Sequence, residues 1–377
     1  MLFRSKGELG MNDPVQRFLP TTVRVPRRGN KEITLAHLAT NVSGLPDNPI
    51  DVFPTRYEDF HAGYVATEAE LLELLNRYEL TSDPGEKMGH SNVGTGLLGY
   101  ALARHAGMSY SALLEARVTG PLGMPSTRLT VTPDMARRRA TGHDSYLRPI
   151  GDLEMGALSG AGSLKSTVND LLQLVAAELS DAPGPLKNAL AAQLNAVRLP
   201  LGPYQMALQM IIAKGPSGEM VLTNGGTFGA QSFVGFDQQR KVGVVALVNA
   251  TGWARLVDDI GMYVLTGKPV RQLPPPSPPP VERRVVAVSP ETLERYVGRY
   301  RVAPGEEVVI MRDGSRLFAQ LTGQAFYQIF AESTTEFFWK VVDGQLAFQN
   351  GASGPAPSLT MHMAHLNGQA KVATRVP

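Results

Sequence analysis

The 377-residue sequence contains no cysteine. Disulfides, thiolate metal sites and a cysteine nucleophile are therefore excluded. No apolar run approaches the roughly 20 residues that a membrane-spanning helix needs. Charge of one sign is also lacking, since the formal net charge is +2. That balance gives no electrostatic reason to expect nucleic acid or an anionic membrane as partner. The basic clusters "RVPRRGNK" and "ARRRA" are short and lack interleaved aromatics, so they read as solvated surface. In "MLFRSKGELGMNDPVQRFLP" the apolar stretch is too short and too interrupted by charge for a signal peptide. What is present fits a soluble globular chain: 43% hydrophobic and 19% charged residues. The length predicts one large and one small domain.

The clearest boundary is "LPPPSPPPVERR", Leu273 to Arg284, whose prolines suit a stiff extended spacer and no helix or central strand. The expected organisation is a first domain over 1–268, a linker over 269–288 and a small β domain over 289–377. In the first domain, "TEAELLELLNRYEL" places Leu71, Leu72, Leu75 and Tyr78 on one helical face behind a Thr67 cap. Asn92 is placed to cap the next helix, whose buried stripe is Leu97, Leu98, Ala101 and Leu102. "STVNDLLQLVAAEL" predicts a third helix led by Ser166 or Thr167. "QSFVGFD" and "KVGVVALVNA" read as strands joined by an Asp237–Lys241 turn, the second apolar enough for a sheet buried on both faces. "ARLVDDIGMYVLTG" predicts a closing helix. After the prolines, a short helix in "SPETLERYVGRY" precedes β-rich runs punctuated by Asp313-Gly314, Asp343-Gly344 and Asn367-Gly368. Such pairs favour tight hairpins, so a small antiparallel barrel or sandwich is expected.

"PGEKMGHSNVGTGLLGYALARH", Pro84 to His105, holds the first chemical question. Gly89-His90-Ser91 imitates the start of a Gly-x-Ser-x-Gly nucleophile elbow. An elbow needs a preceding strand and a glycine on each flank of the serine. Here "TSDPGEKMG" is turn-forming, Val93 occupies the flank and the glycine comes one place late, at Gly94. Ser91 therefore reads as a loop residue.

The same stretch resembles the loop and glycine-rich helix of the serine β-lactamase and penicillin-binding-protein superfamily, its class C branch most of all. The pattern there is Pro-Gly, a few residues, Tyr-x-Asn and a leucine helix. "GMNDPVQRFLP", "ITLAHLATNVSGLPD", "VTGPLGMPST", "SGAGSLKSTVNDLLQL" and "LTNGGTFGAQSFVGFD" have counterparts in the same order, over residues 7–265. The tail resembles the β-rich domain often appended to these enzymes. The resemblance implies an α+β fold, an antiparallel sheet flanked by helices, with a small all-β C-terminal barrel or sandwich. It also implies hydrolysis of a β-lactam, ester or D-amino-acid peptide through an acyl-serine, with no cofactor and no metal. The serine and lysine of Ser-x-x-Lys, with the Tyr-x-Asn tyrosine, perform that chemistry. A Lys-Thr-Gly or His-x-Gly strand binds the substrate carboxylate, and the amide after it helps form an oxyanion hole.

Carried over by residue, Asn92 matches the asparagine and His90 stands at the tyrosine. Thr223-Asn224-Gly225 stands at the third motif, and Gly226 offers the oxyanion amide. Thr223, Gly225 and Gly226 are thus the substrate-binding candidates, and His90 and Asn92 the catalytic ones. His90 is either a general base in place of tyrosine or a residue drifting after loss of function. Asn92 suits both a helix cap and catalysis. Thr223 and Gly225 are either substrate-facing or ordinary edge-strand residues.

No serine has a lysine three positions later, and Ser163-Leu164-Lys165 has the wrong spacing. The segment expected to carry Ser-x-x-Lys would precede "GELGMNDPV". Acyl-serine turnover is accordingly expected to be impaired. Alternatives are a non-catalytic binder of a peptidoglycan-like or acyl ligand, or an esterase using Ser91. Without the family's first strands, a sheet edge is expected to stand open and a homo-oligomer is one way to cover it. The family implies a periplasmic or secreted protein, but no signal peptide is visible. His37 reads as a packed or capping residue. His61, His105 and His143 lack partners at metal spacing, and His362 and His365 would face opposite sides of a strand. Asp152 and Glu154 resemble a carboxylate pair without further support.

Overall fold

A computed structural model describes residues 1–49, 66–181, 184, 186–272, 283–322, 326–340, 343–350, 354–363 and 370–376. These fall into two compact units, one within Met1–Pro49 and Gly63–Ser277, the other within Pro278–Pro377. The proline stretch 273–282, His61, His365 and the Asn367-Gly368 pair lie outside the described residues.

In the first unit, helix α1 (Leu35–Ala39) opens on a capping box. The Thr34 hydroxyl accepts the His37 N–H while His37 Nδ1 accepts the Thr34 N–H. His37 is therefore the capping residue that the sequence suggests. Helix α2 (Glu68–Arg77) has the same device in Thr67 and Glu70 and buries Leu71, Leu74 and Leu75. Helix α3 (Asn92–His105) buries Val93, Leu97, Ala101 and Ala103 together with three of its glycines. Helix α4 (Val168–Leu179) is capped by Thr167 and precedes α5 (Lys187–Asn195). Six antiparallel strands follow: β1 (Leu199–Leu201), β2 (Tyr204–Met206), β3 (Ile211–Lys214), β4 (Glu219–Gly226), β5 (Gln231–Asp237) and β6 (Val242–Val248). They lie in sequence order in one sheet. Helix α6 (Ala254–Thr266) ends at Gly267, whose φ of 73° suits the left-handed stop.

Alternation along the strands separates two cores. Val221, Val234, Phe236 and Val245 face Val175 of α4 and Leu194 of α5. Met220, Phe233 and Val244 face Val257 and Leu265 of α6. Helices lie over both faces of β6, which suits the lack of polar alternation in "VGVVALV", although only Val244 is fully buried and Leu247 is exposed.

The second unit opens with helix α7 (Pro290–Glu294) and continues as β7 (Gly298–Ala303), β8 (Glu306–Asp313), β9 (Arg316–Leu321), β10 (Phe326–Ala331), β11 (Glu336–Phe338), β12 (Gly344–Gln349), β13 (Ser358–Met363) and β14 (Ala370–Val376). Each strand pairs with the next, and β14 pairs back to β7 through Thr374–Arg301 and Val376–Arg299, closing an eight-stranded barrel. Of the two β architectures expected, the barrel is the one formed. Its interior stacks Tyr296 on Phe348 with ring centroids 4.2 Å apart. Arg375 donates to the Tyr300 hydroxyl, which in turn donates to the Tyr296 carbonyl. Burial pushes the Tyr300 phenol up to about 12.

Candidate functional site

The start of α3 is held by the loop Leu45–Asn48. The carbonyl of Asp47 accepts the N–H groups of Asn92 (2.8 Å) and Val93 (3.2 Å), two donors that the helix itself leaves free. Ser91, not Asn92, is the cap: its backbone is extended and its Oγ accepts the Gly94 N–H at 2.8 Å. This corrects the sequence expectation by one position, and Asn92 becomes the first helical residue. Ser91 is 2% exposed, and its hydroxyl donates to the Pro46 carbonyl at 2.6 Å. Its proton is thus committed to a main-chain acceptor and not to an imidazole.

His90 points elsewhere. Its Nδ1 lies 2.8 Å from Asp47 Oδ1. That hydrogen bond, against some desolvation, holds the imidazole pKa above its ordinary value. Asn92 Nδ2 donates to Asn48 Oδ1 at 2.9 Å and reaches Asp47 Oδ1 at 3.4 Å. His90 and Asn92 are therefore brought together around one carboxylate, at a helix N-terminus that favours negative charge. Asp47 and Asn48 were not singled out in the sequence. They sit 43 and 44 residues from their partners, and only the folding of "SGLPDN" onto α3 reveals them.

The glycines of α3 have a packing role. A Cβ on Gly96 would lie 2.6 Å from Leu158 Cδ2 and 2.7 Å from Leu158 Cα, and one on Gly99 3.2 Å from Gly160 Cα. The helix thus rests backbone to backbone on the 3-10 segment Gly156–Ala161. Beside it, Glu154 pairs with Lys165, while Asp152 pairs with Arg139 at 3.1 Å. The two acids serve separate ion pairs and form no carboxylate couple.

Thr223, Gly225 and Gly226 occupy the far end of β4. Strand β3 pairs only with Glu219–Leu222, whereas β5 pairs with Met220–Gly226. Residues Thr223–Gly226 therefore have an open edge among the described residues, although β4 is interior to the sheet. Asn224 turns to the α6 face and donates to both oxygens of Asp258 at 3.1 Å. By alternation Thr223 and Gly225 lie on the opposite face, shared with α4 and α5. The turn beyond is anchored by Gly229, whose carbonyl accepts the His143 N–H at 3.2 Å.

No hydrogen bond or ion pair among the described residues joins His90 and Asn92 directly to Thr223–Gly226. The link is Gln209, in the turn between β2 and β3, with a φ of 59°. Its N–H donates to the Ala39 carbonyl, and its Nε2 donates to the Leu38 carbonyl and to Thr95 Oγ1 at 3.2 Å. The sheet is thus fastened to α1 and to the first turn of α3. Nearby in the chain, Asn41 keeps a buried Oδ1 with no partner among the described residues. Its carbonyl accepts the Gly89 N–H at 2.8 Å.

The β-lactamase family model matches residues 1–268, and a domain of unknown function (DUF3471) matches 282–373. Penicillin-binding protein 4* of Bacillus subtilis is 24% identical over 375 residues, covering 93% of this chain and 79% of that protein. The D-alanyl-D-alanine-carboxypeptidase/endopeptidase AmpH of Escherichia coli is 31% identical over 183 residues, 46% of this chain and 44% of its own length. The chain therefore spans less than half of the second relative. Among solved structures, a β-lactamase/D-alanine carboxypeptidase from Yersinia pestis has a TM-score of 0.56 at 23% identity, over 70% of this chain and 78% of that one. An octameric penicillin-binding protein homologue from Pyrococcus abyssi has a TM-score of 0.60 at 17% identity, over 99% and 84%. The two structural likenesses speak to the fold alone. The family match, which covers well over half of the sequence, carries the conclusion that this chain belongs to the β-lactamase family, with a β-barrel as an additional C-terminal domain.

Proposed function

We propose that residues 1–268 form the substrate-recognition part of an acyl-hydrolase cleft. In this reading residues 269–288 are the linker and 289–377 the appended domain. Residues 1–377 by themselves turn over acyl substrates weakly or not at all. The ligand is a β-lactam, an ester or a D-amino-acid peptide, lying along the open edge of Thr223–Gly226. Thr223 offers a neutral hydroxyl where the family pattern has a cation, and the Gly226 amide faces the developing oxyanion. Asn92 orients the ligand amide, and His90, polarised by Asp47, is the proton carrier of the loop.

The observation that carries the reading is the state of Ser91. It is buried, its hydroxyl donates to Pro46 and accepts from Gly94, and His90 is turned to Asp47. An activated nucleophile needs a base within hydrogen-bond reach of its proton. No Ser-x-x-Lys occurs within residues 1–377 to supply another. Binding without turnover is the second reading, and the open β4 edge favours it, because an extended ligand pairs with main chain whether or not a nucleophile is present.

Nitrocefin and p-nitrophenyl acetate test both. The 377-residue protein is expected to show no burst and no acyl adduct by intact mass, while a bound ligand raises its melting temperature. A stoichiometric burst abolished by Ser91→Ala would establish the esterase instead. A burst that survives that substitution would reveal another serine nucleophile.

A further inference from the structure

The loop that carries His90 and Asn92 rests its main chain on the residues that follow α1. The Val42 carbonyl accepts the Gly85 N–H at 2.7 Å, and the Asn41 carbonyl accepts the Gly89 N–H at 2.8 Å. Val42 in turn donates its own N–H to the His37 carbonyl at 3.0 Å. The His37 ring reaches the same loop directly. A Cβ built on Gly85 would lie 3.3 Å from His37 Nε2, so the imidazole edge lies close against loop main chain that has no side chain. The φ of 89° at Gly85 favours glycine for a second reason. His37 therefore supports the loop twice, through its ring and through its carbonyl and Val42.

The other ring nitrogen depends on the protonation state. Nδ1 accepts the Thr34 N–H at 3.2 Å in the capping box of α1. Only the neutral imidazole has a lone pair there, and its proton then sits on Nε2. A second proton would set an N–H against the Thr34 N–H, opening the box and turning the ring. A turned ring no longer backs Gly85. We propose that His37 is a positioning residue for the Gly85–Asn92 loop, holding it as the neutral imidazole and releasing it when protonated. The proposal is independent of what the cleft binds or turns over.

The surroundings favour the neutral ring. Burial holds its pKa below the ordinary 6.5, outweighing the hydrogen bond to the Glu32 main chain, and no side-chain charge contributes. The charged groups nearby are engaged elsewhere. Lys31 and Arg28 of the preceding hairpin pair with Asp83 at 2.9 and 3.6 Å, and Glu86 accepts the Asp83 N–H. Asp13 pairs with Arg17, and His90 with Asp47. The β2–β3 turn and the first turn of α3 contribute Gln209 and Thr95, both neutral. Linkage then fixes the sign. Opening of the loop returns the ring to an ordinary midpoint, so opening is insensitive to pH above about 6.5. It grows as pH falls below that value, by up to about ten-fold per pH unit, and levels off beneath the folded midpoint.

Hydrogen exchange of the Gly85 and Gly89 amides between about pH 4 and 8, corrected for the intrinsic chemical rate, tests the proposal. NMR titration of the His37 and His90 Cε1 protons accompanies it. Both amides are expected to lose protection as His37 titrates, while the Leu74 and Leu75 amides of α2 do not follow. His90 is expected to show, besides its own midpoint above 6.5, a second inflection that coincides with the His37 midpoint. His37→Gln places an amide oxygen at the usual capping-box position and does not titrate. It is expected to abolish the second inflection and to give loop protection that no longer depends on pH. A second His90 inflection that survives in His37→Gln overturns the proposal. So do wild-type loop amides whose protection is unchanged across the His37 midpoint, a result that needs no variant to fold.

Discussion

Glu178 offers a quantitative test of how the first unit is packed. It lies in the last turn of α4, 6% exposed, and makes no hydrogen bond among the described residues. Burial pushes its carboxyl from the ordinary 4.5 up to about 7, outweighing the Lys187 ammonium, which pulls the other way. The sign follows from proton binding. Below pH 4.5 both folded and unfolded chains hold the proton, so the group has no effect on stability. Between 4.5 and 7 the folded chain keeps a proton that the unfolded chain has lost, and stability falls as pH rises. Above 7 the loss levels off at about 3 kcal/mol, the free energy of that pKa difference.

Glu178→Gln removes the charge at nearly constant shape. It should leave stability almost unchanged at about pH 4 and raise it by about 1–3 kcal/mol at about pH 8, the lower figure allowing for burial of the amide. Guanidinium unfolding followed by tryptophan fluorescence reads this cleanly. Trp253 lies beside α6 and Trp339 in the barrel, so a Trp339→Phe background reports the first unit alone. A stability gain of equal size at both pH values, or a larger one in acid, would refute the assignment.

Two further outcomes bear on the candidate site. Gly96→Ala should lower the first unit's stability by about 1–3 kcal/mol, because the new methyl meets Leu158 main chain; an unchanged melting temperature would mean that α3 does not rest on Gly156–Ala161 as described. Asp47→Asn should lower the His90 midpoint in an NMR titration of its Cε1 proton. The raised pKa means that the charged pair adds stability below about 6.5, lost as pH rises through the folded midpoint. Both side chains are exposed, so the change in stability should stay within about 1 kcal/mol, and an unmoved midpoint would contradict the pairing.

Local signals were legible wherever local chemistry decides the outcome. Thr67 and Thr167 cap the helices they precede, the Asp237–Lys241 turn joins β5 to β6, and Asp313-Gly314 turns β8 into β9. The shift from Asn92 to Ser91 as cap shows where that reading stops. Both residue types cap well, and the choice falls to Ser91 because Pro46 and Asp47, distant in sequence, bring their carbonyls to its hydroxyl and to the Asn92 N–H. Gln209 gave no signal at all, since its amide acts on helices 114 or more residues away.

Composition and periodicity by themselves determined helices and strands in the first part, a proline boundary and a β-rich tail, and motif order carried the family likeness that implies helices around an antiparallel sheet. Those features depend on neighbours within a turn or a hairpin, which the sequence displays directly. Tertiary structure alone decided that His90 answers to Asp47, that Ser91 is sealed under Pro46 and that the tail closes into a barrel. Each of these depends on which distant segments meet, and a one-dimensional pattern does not record such distances.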